Sequence, residues 1–244
     1  MPLAPKLAAI LPPDASAHGP AVDQHLRLTL WIILSLAVFA HILILTGVLL
    51  RRSSRPRHLW AIEYLPLAIL TIVFTSLGIR AERLWATMRY TGASHEAMQI
   101  EVTGQQFSWY FRYPGPDATF GATRPQLADA ATGNPIGIDP ADPHSADDFV
   151  SSELVLPAGR EIDLTLRAQD VIHGFSVPEL RLKQNAVPGE SIHIHFTATK
   201  PGTYAILCTQ LCGLGHYRMS ANLRVVSPED FHSWLSAKEQ AARQ

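Results

Sequence analysis

Two long apolar stretches lie in the first third of the chain. Residues 28–50 carry no formally charged side chain, and residues 59–79 carry only Glu63. Because an α-helix rises about 1.5 Å per residue, each stretch is long enough to cross the roughly 30 Å hydrocarbon core of a bilayer. Residues 1–25 show no clear period, which predicts a tail. The pattern favours two membrane-spanning helices over the buried helical hairpin of a soluble protein.

The short segment between the two stretches is rich in arginine, namely Arg51, Arg52, Arg55 and Arg57. Such a loop stays in the cytoplasm by the positive-inside rule, so the tail and everything after residue 80 are expected on the outer side. Three tryptophans lie near the predicted membrane boundaries, as an interfacial belt would: Trp31, Trp60 and Trp85. We therefore predict a multi-pass protein of a bacterial-type inner membrane.

After residue 98 the pattern changes to short β-rich runs separated by turn residues. About eight such runs in about 130 residues predict a β-sandwich or Greek-key barrel. In residues 191–196 the alternation places Ile192, Ile194 and Phe196 on one face and His193 and His195 on the other. We interpret the two histidines as lying on a solvated face.

Residues 114–153 are rich in Pro, Gly and Asp, and this segment is longer than a typical connection. Its single basic residue, Arg124, is outnumbered by the acidic residues Asp117, Asp129, Asp139, Asp142, Asp147, Asp148 and Glu153. The segment is predicted to be a long acidic loop. It either attracts a basic partner or only aids solubility.

Composition and charge exclude several classes of protein. The chain has 244 residues, is 47% hydrophobic, and balances 20 Lys and Arg against 21 Asp and Glu. The balance argues against a nucleic-acid binder. Two cysteines rule out a disulfide-rich scaffold and a zinc site made of four cysteines.

The expected organisation has five parts: a tail (1–25), a helical hairpin (26–82), a linker (83–98), a β-domain (99–228) and a C-terminal helix (229–244). Ser227 followed by Pro228 is a good start for that last helix.

Four metal-ligating side chains lie within twelve residues: Cys208, Cys212, His216 and Met219. Thiolate and thioether are soft ligands that select copper, and Met is not a usual zinc ligand. A disulfide beside an incidental His and Met is the plainer alternative. A mononuclear blue-copper site needs only one Cys, so the second Cys makes a dinuclear copper site the better fit.

The spacing C-x3-C-x3-H-x2-M resembles the dinuclear copper-A loop of subunit II of heme–copper oxidases, the cytochrome c oxidase family. Residues 170–175 (DVIHGF, containing His173), 182–189 and 102–109 resemble further motifs of that family. The resemblance covers roughly residues 25–230. It implies a two-helix transmembrane hairpin followed by an all-β cupredoxin-like Greek-key sandwich.

The resemblance also implies the ligands of two copper ions. Cys208 and Cys212 would bridge the coppers, with His173 and His216 on one copper each. Met219 and the backbone carbonyl of Gln210 would be weak axial ligands.

In function, the resemblance implies an oxidoreductase complex in which this subunit carries electron transfer and not oxygen reduction. Electrons would come from cytochrome c and pass to heme in subunit I, where oxygen is reduced to water with proton translocation. The expected partners are subunit I, other oxidase subunits, cytochrome c and the lipid bilayer, with no nucleic acid. The acidic segment 114–153 would attract cytochrome c.

Three positions depart from the family's common pattern. Gln210 replaces a Glu that helps to hold an interface magnesium or manganese ion. Phe107 replaces the Trp that usually receives the electron, so either Phe107 or Trp109 is the candidate, with simple core packing as the alternative. Glu63, whose spacing to Pro66 differs from the family's common pattern, is a candidate for proton uptake, with a place at the cytoplasmic interface as the alternative.

Four other functions are compatible with parts of the sequence pattern but are less well supported by it. A nitric oxide reductase with a copper-A subunit is the main alternative, because the catalytic chemistry would lie in the partner. A quinol oxidase subunit would lack copper ligands that are all present here. Nitrous oxide reductase has no membrane hairpin, and a copper-delivery protein favours a more open site.

Overall fold

Two long helices precede the sheets. The computed structural model describes residues 11–50 and 60–242. Helix α1 spans Gly19–Leu50 and helix α2 spans Trp60–Arg89. Both are long and apolar enough to cross a membrane, and their most apolar windows are not buried within the protein. The arginine loop predicted to lie in the cytoplasm falls outside the described residues.

The apolar side chains of both helices point outward. Leu49 is 80% exposed and Trp60 is 72% exposed. A continuous apolar surface of this kind is unfavourable in water and is favoured in hydrocarbon. The side chains are therefore placed as a bilayer requires.

Within the described residues, ten strands form two five-stranded sheets. Their bounds are β1 Met98–Gln105, β2 Ser108–Tyr113, β3 Phe149–Ser151, β4 Leu154–Pro157, β5 Glu161–Ala168, β6 His173–Val177, β7 Leu182–Ala186, β8 Ile192–Thr197, β9 Gly202–Cys208 and β10 Ser220–Val226. The strand order is β3-β2-β1-β5-β8 in the first sheet and β4-β10-β9-β6-β7 in the second.

The two sheets share one apolar core. In β5, Ile162, Leu164 and Leu166 are fully buried, because alternate residues of a strand point to the same face. Strands β1 and β5 pair in parallel, as do β4 and β10, and the other pairs are antiparallel. The predicted architecture, two apolar helices followed by an all-β sandwich, is confirmed.

The first helix begins earlier than expected. Helix α1 begins at Gly19, inside the predicted tail. Just before it, the Ala15 N–H donates to the Glu179 carbonyl at 2.8 Å and the Ala17 N–H donates to the Thr197 carbonyl at 3.0 Å. These pairings join residues far apart in sequence, so the composition of the tail could not reveal them. The final helix, α3, spans Pro228–Ala242, with Ser227 at its start.

The acidic segment 114–153 is fastened to the first sheet by Arg112 of β2, a side chain only 2% exposed. Its guanidinium donates to Glu101 Oε2 at 2.9 Å, to the Gly121 carbonyl at 2.6 Å and to the Asp148 carboxylate. Most of the segment is irregular, as predicted, with three short 3₁₀ turns and strand β3. It is nonetheless anchored by buried charges.

Candidate metal centre

The candidate ligand loop joins two antiparallel strands. Strand β9 ends at Cys208 and β10 begins at Ser220. The Cys208 N–H donates to the Met219 carbonyl at 3.1 Å, which closes the loop at its base. A 3₁₀ turn over His216–Arg218 reverses the chain just before β10. Residues 208–219 therefore fold back on themselves, and their side chains converge.

The sulfur atoms of the loop lie at metal-binding distances. Cys212 Sγ is 3.8 Å from Cys208 Sγ, 3.8 Å from Met219 Sδ and 3.7 Å from His216 Nδ1. A disulfide requires about 2.05 Å between sulfurs, and both cysteines are free thiols. Because a metal–sulfur bond is about 2.3 Å long, two sulfurs on one ion lie at most about 4.6 Å apart. The donors therefore fit a metal better than a disulfide.

Two more donors reach the same point. His173, at the start of β6, is fully buried, and its Nδ1 is 3.1 Å from Met219 Sδ. The Gln210 carbonyl oxygen is 3.2 Å from Cys208 Sγ. The donor atoms of His173, Cys208 and Cys212 all lie within 4.8 Å of one another. The structure thus brings together all six residues that the sequence singled out as metal ligands.

Asp170 fixes the orientation of the His173 ring. Its Oδ1 is 2.8 Å from His173 Nε2, and its Oδ2 accepts from the Gln106 N–H at 2.7 Å. With Nε2 engaged by a carboxylate, Nδ1 is left to face the sulfur ligands. Partial burial opposes ionisation of Asp170, yet these hydrogen bonds and one from the Val171 N–H hold its pKa below the usual range.

Gln106 contacts both Asp170, which orients His173, and the ligand loop at Cys212. Its main-chain N–H bonds to Asp170, and its side-chain Nε2 donates to the Cys212 carbonyl at 2.5 Å. Neither Asp170 nor Gln106 is predicted from the sequence to have a role at the site. Asp170 stands three residues before a candidate ligand, a spacing that suggests an orienting carboxylate. Gln106 has no such signal, because its contact reaches a residue 106 positions away.

Phe107 and Trp109 occupy different places beside the cluster. Trp109 is 2% exposed, and its ring lies edge-on to that of His173 with centroids 5.8 Å apart. Phe107 is half-buried and covers the ligand loop at Gly213 and Gly215, where a Cβ would press on its ring. Small residues at these two positions let the aromatic ring close over the loop.

The electrostatics of the site favour a bound cation. Burial and the neighbouring Cys208 thiol raise the pKa of the Cys212 thiol to about 11. Since the thiolate is the form that binds a metal, the positive charge of an ion is needed to hold the Cys212 sulfur ionised near neutral pH. The soft donor set and this requirement together fit copper.

Glu63 belongs to the other part of the chain. It is exposed in the first turn of α2, three residues before Pro66. Its role in proton uptake stays a prediction.

Comparison with known proteins gives one family. Residues 98–226 match the family model for cytochrome c oxidase subunit II, periplasmic domain. The alternative cytochrome c oxidase subunit 2 of Bradyrhizobium diazoefficiens is 38% identical over 149 residues, which cover 60% of this chain and 53% of the relative. The cytochrome c oxidase subunit 2 of Thermostichus vulcanus is 36% identical over 143 residues, which cover 59% of this chain and 34% of the relative.

Among solved structures, the periplasmic domain of subunit II of cytochrome oxidase from Bradyrhizobium japonicum is similar, at 26% identity and a TM-score of 0.45. That match covers 61% of this chain and 97% of the solved one. The matched part of this chain thus spans about half the length of one curated relative and about a third of the other.

Proposed function

The chain belongs to the cytochrome c oxidase subunit II family, and we propose from this that it is the electron-accepting subunit of a heme–copper terminal oxidase. It is a membrane protein whose C-terminal domain lies on the outer side. We propose that electrons arrive from cytochrome c and leave to heme in subunit I, where oxygen is reduced to water with proton translocation. The family match does not favour the nitric oxide reductase alternative.

The convergence of six donors carries this proposal. Cys212 Sγ lies close to Cys208, His216 and Met219 at once, which is the central position that a bridging ligand needs. His173 Nδ1 lies beside Met219, so these two residues would hold one copper. His216 and the Gln210 carbonyl would hold the other. Cys208 and Cys212 would be shared between both ions.

When bound, a copper pair that shares two thiolates takes up and releases one electron at a time. The chain's own contribution is to keep the donors still. The β9–β10 pairing fixes both ends of the ligand loop, and Asp170 and Gln106 hold His173 and Cys212 from the opposite side. Donors held in this way move little when the charge on the site changes, so each transfer requires little rearrangement.

The ligand loop itself carries exposed apolar side chains, which are suited to a protein partner. Leu211 is 77% exposed, Leu214 97% and Tyr217 81%. Exposed apolar groups clustered on an otherwise polar domain mark interaction sites. We propose that this surface contacts the heme-bearing subunit I, which would shorten the path to the acceptor.

For the arriving electron we propose Phe107 as the contact with cytochrome c. Its half-buried ring covers the ligand loop, which supports this role. Trp109, which is 2% exposed, would instead pack against His173. Helices α1 and α2 would both span the bilayer, placing the start of α1 on the same outer side as the sandwich.

The test is electron paramagnetic resonance of the full chain in detergent after copper loading. We expect one unpaired electron shared equally over two coppers. A mononuclear cupric spectrum without the shared-electron signal, or no bound copper, would refute the proposal. Leu214→Ala is a matched control in the same loop, because it removes exposed apolar surface without removing a donor, and it should leave the spectrum unchanged.

A further inference from the structure

A second group of metal-ligating side chains lies on the outer face of the first sheet, away from the ligand loop in sequence. His193 and His195 leave the same face of β8, because the residue between them, Ile194, points inward and is 2% exposed. Asp163 of β5 lies directly opposite His195 in the antiparallel register. The pairing therefore sets one carboxylate beside two imidazoles.

Two of the three side chains, those of His193 and Asp163, are already in contact. His193 Nδ1 is 3.2 Å from Asp163 Oδ1 and 3.3 Å from Asp163 Oδ2. Thr165 Oγ1 lies 3.4 Å from the same nitrogen. The Asp163 side chain is 15% exposed and that of His193 60%, so the carboxylate is sheltered while the ring remains open to solvent. An ion from solution can reach such a site.

We propose that Asp163, His193 and His195 bind a late first-row divalent ion, Zn²⁺ or Cu²⁺, at a site separate from the copper centre. Imidazole nitrogen and carboxylate oxygen are preferred ligands of these ions. With metal–ligand bonds of about 2.0–2.2 Å, donors on one ion lie about 3 Å apart, close to the His193–Asp163 separation. Residues directly opposite in a sheet have Cβ atoms about 5 Å apart, so His195 would complete the group by rotation about its side-chain bonds.

The surroundings add negative charge. Glu161 leaves the same face of β5, two residues before Asp163, and its Oε2 accepts from the Ser94 hydroxyl at 2.5 Å. Two carboxylates on one face attract a divalent cation more strongly than one. Water would complete the coordination on the exposed side. The ion would link β8, which is an edge strand, to its neighbour β5, and so protect that edge.

The test is a calorimetric titration of the full chain in detergent with Zn²⁺ alone. A background with Cys208→Ser and Cys212→Ser removes the thiolates of the copper centre. We expect one Zn²⁺ per chain, with affinity lowered by about tenfold or more in His193→Gln, in His195→Gln and in Asp163→Asn. His144→Gln is the matched control: it removes another exposed histidine that faces a carboxylate, Asp117, at 2.7 Å. It should not change the titration.

A second readout does not depend on the cysteine substitutions. In the otherwise unsubstituted chain, His193→Gln should bind one Zn²⁺ fewer than the natural sequence. Because His193 is mostly exposed, this substitution leaves the core intact, and circular dichroism checks the fold. Equal binding by the natural chain and the three site variants, or no binding by the cysteine-free background, would overturn the proposal. Neither result would bear on the copper centre.

Discussion

The sandwich carries two long irregular segments, and they are ordered in opposite ways. The ligand loop 208–219 is ordered largely by its own residues, with donors a few positions apart and a hydrogen bond from Cys208 to Met219 at its base. The acidic segment 114–153 is ordered from outside by Arg112, which reaches residues 9 and 36 positions away. The first kind of order is visible in a sequence, whereas the second appears only once the sheets have formed.

The acidic side chains of segment 114–153 make ion pairs and hydrogen bonds within the segment. Asp139 pairs with Arg124 at 2.7 Å, and Asp142 accepts from the Ala122 N–H at 2.8 Å. Asp117 lies 2.7 Å from His144 Nδ1, and this contact raises the pKa of His144. Attraction of cytochrome c by this segment stays a prediction. Several of the same carboxylates stabilise the fold of the segment itself.

Cys212→Ser gives the largest effect expected in the ligand loop. Its sulfur contacts three other donors, and a hydroxyl is a poor substitute for a soft bridging thiolate. We expect complete loss of the shared-electron resonance. Limited proteolysis of segment 114–153 should be unchanged, because its anchors lie elsewhere. A dinuclear spectrum that survives would show that Cys212 does not bridge.

Arg112→Met gives the largest effect expected in the acidic segment. It leaves the Asp148 carboxylate buried without its cation, an arrangement that typically costs about 3–5 kcal/mol, while Glu101 keeps only its contact with Arg167 at 3.2 Å. Denaturant unfolding should report that loss, together with faster cleavage within 114–153. Arg124→Met is the matched control: this side chain is 64% exposed, so about 1 kcal/mol or less is expected. Equal losses in the two variants would refute the anchoring role of Arg112.

The same contrast explains what the sequence could predict. Both helices, the sandwich and the four side-chain donors of the ligand loop follow from local patterns, because hydrophobic periodicity and donor spacing act over a few residues. The assignments of His173 and of the Gln210 carbonyl follow only from the family resemblance. The partners that orient those ligands do not follow, since the contact of Gln106 with Cys212 depends on how the β1–β2 turn meets the ligand loop. Arg112 likewise gave no signal, because its burial follows from the packing of distant residues.

Asp170→Asn tests whether the ligand loop also needs support from outside. The amide keeps the shape of the carboxylate but loses its charge, so it holds His173 Nε2 less firmly. Losing such an orienting partner typically lowers metal affinity by about 10–100-fold. Competition with a chelator measures the loss, and the resonance should remain dinuclear. Asp129→Asn, in segment 114–153, where the carboxylate accepts from the Ala131 N–H at 2.9 Å, is the control. An unchanged copper affinity in Asp170→Asn would show that the ligand loop holds its donors without support from Asp170.

Met219→Leu has the smallest expected effect. It removes one donor of the ligand loop while keeping the volume of the side chain. Such exchanges in a core usually cost less than about 1.5 kcal/mol, so the fold and the bound copper should be retained. Met219 is buried beside His173 Nδ1. Its thioether would donate to the bound copper and so stabilise the more oxidised state of the site. Its removal should therefore raise the reduction potential measured by spectroelectrochemistry. Met98→Leu in β1 is the matched control, and a potential that moves equally in both variants would mean that Met219 packs the site without binding copper.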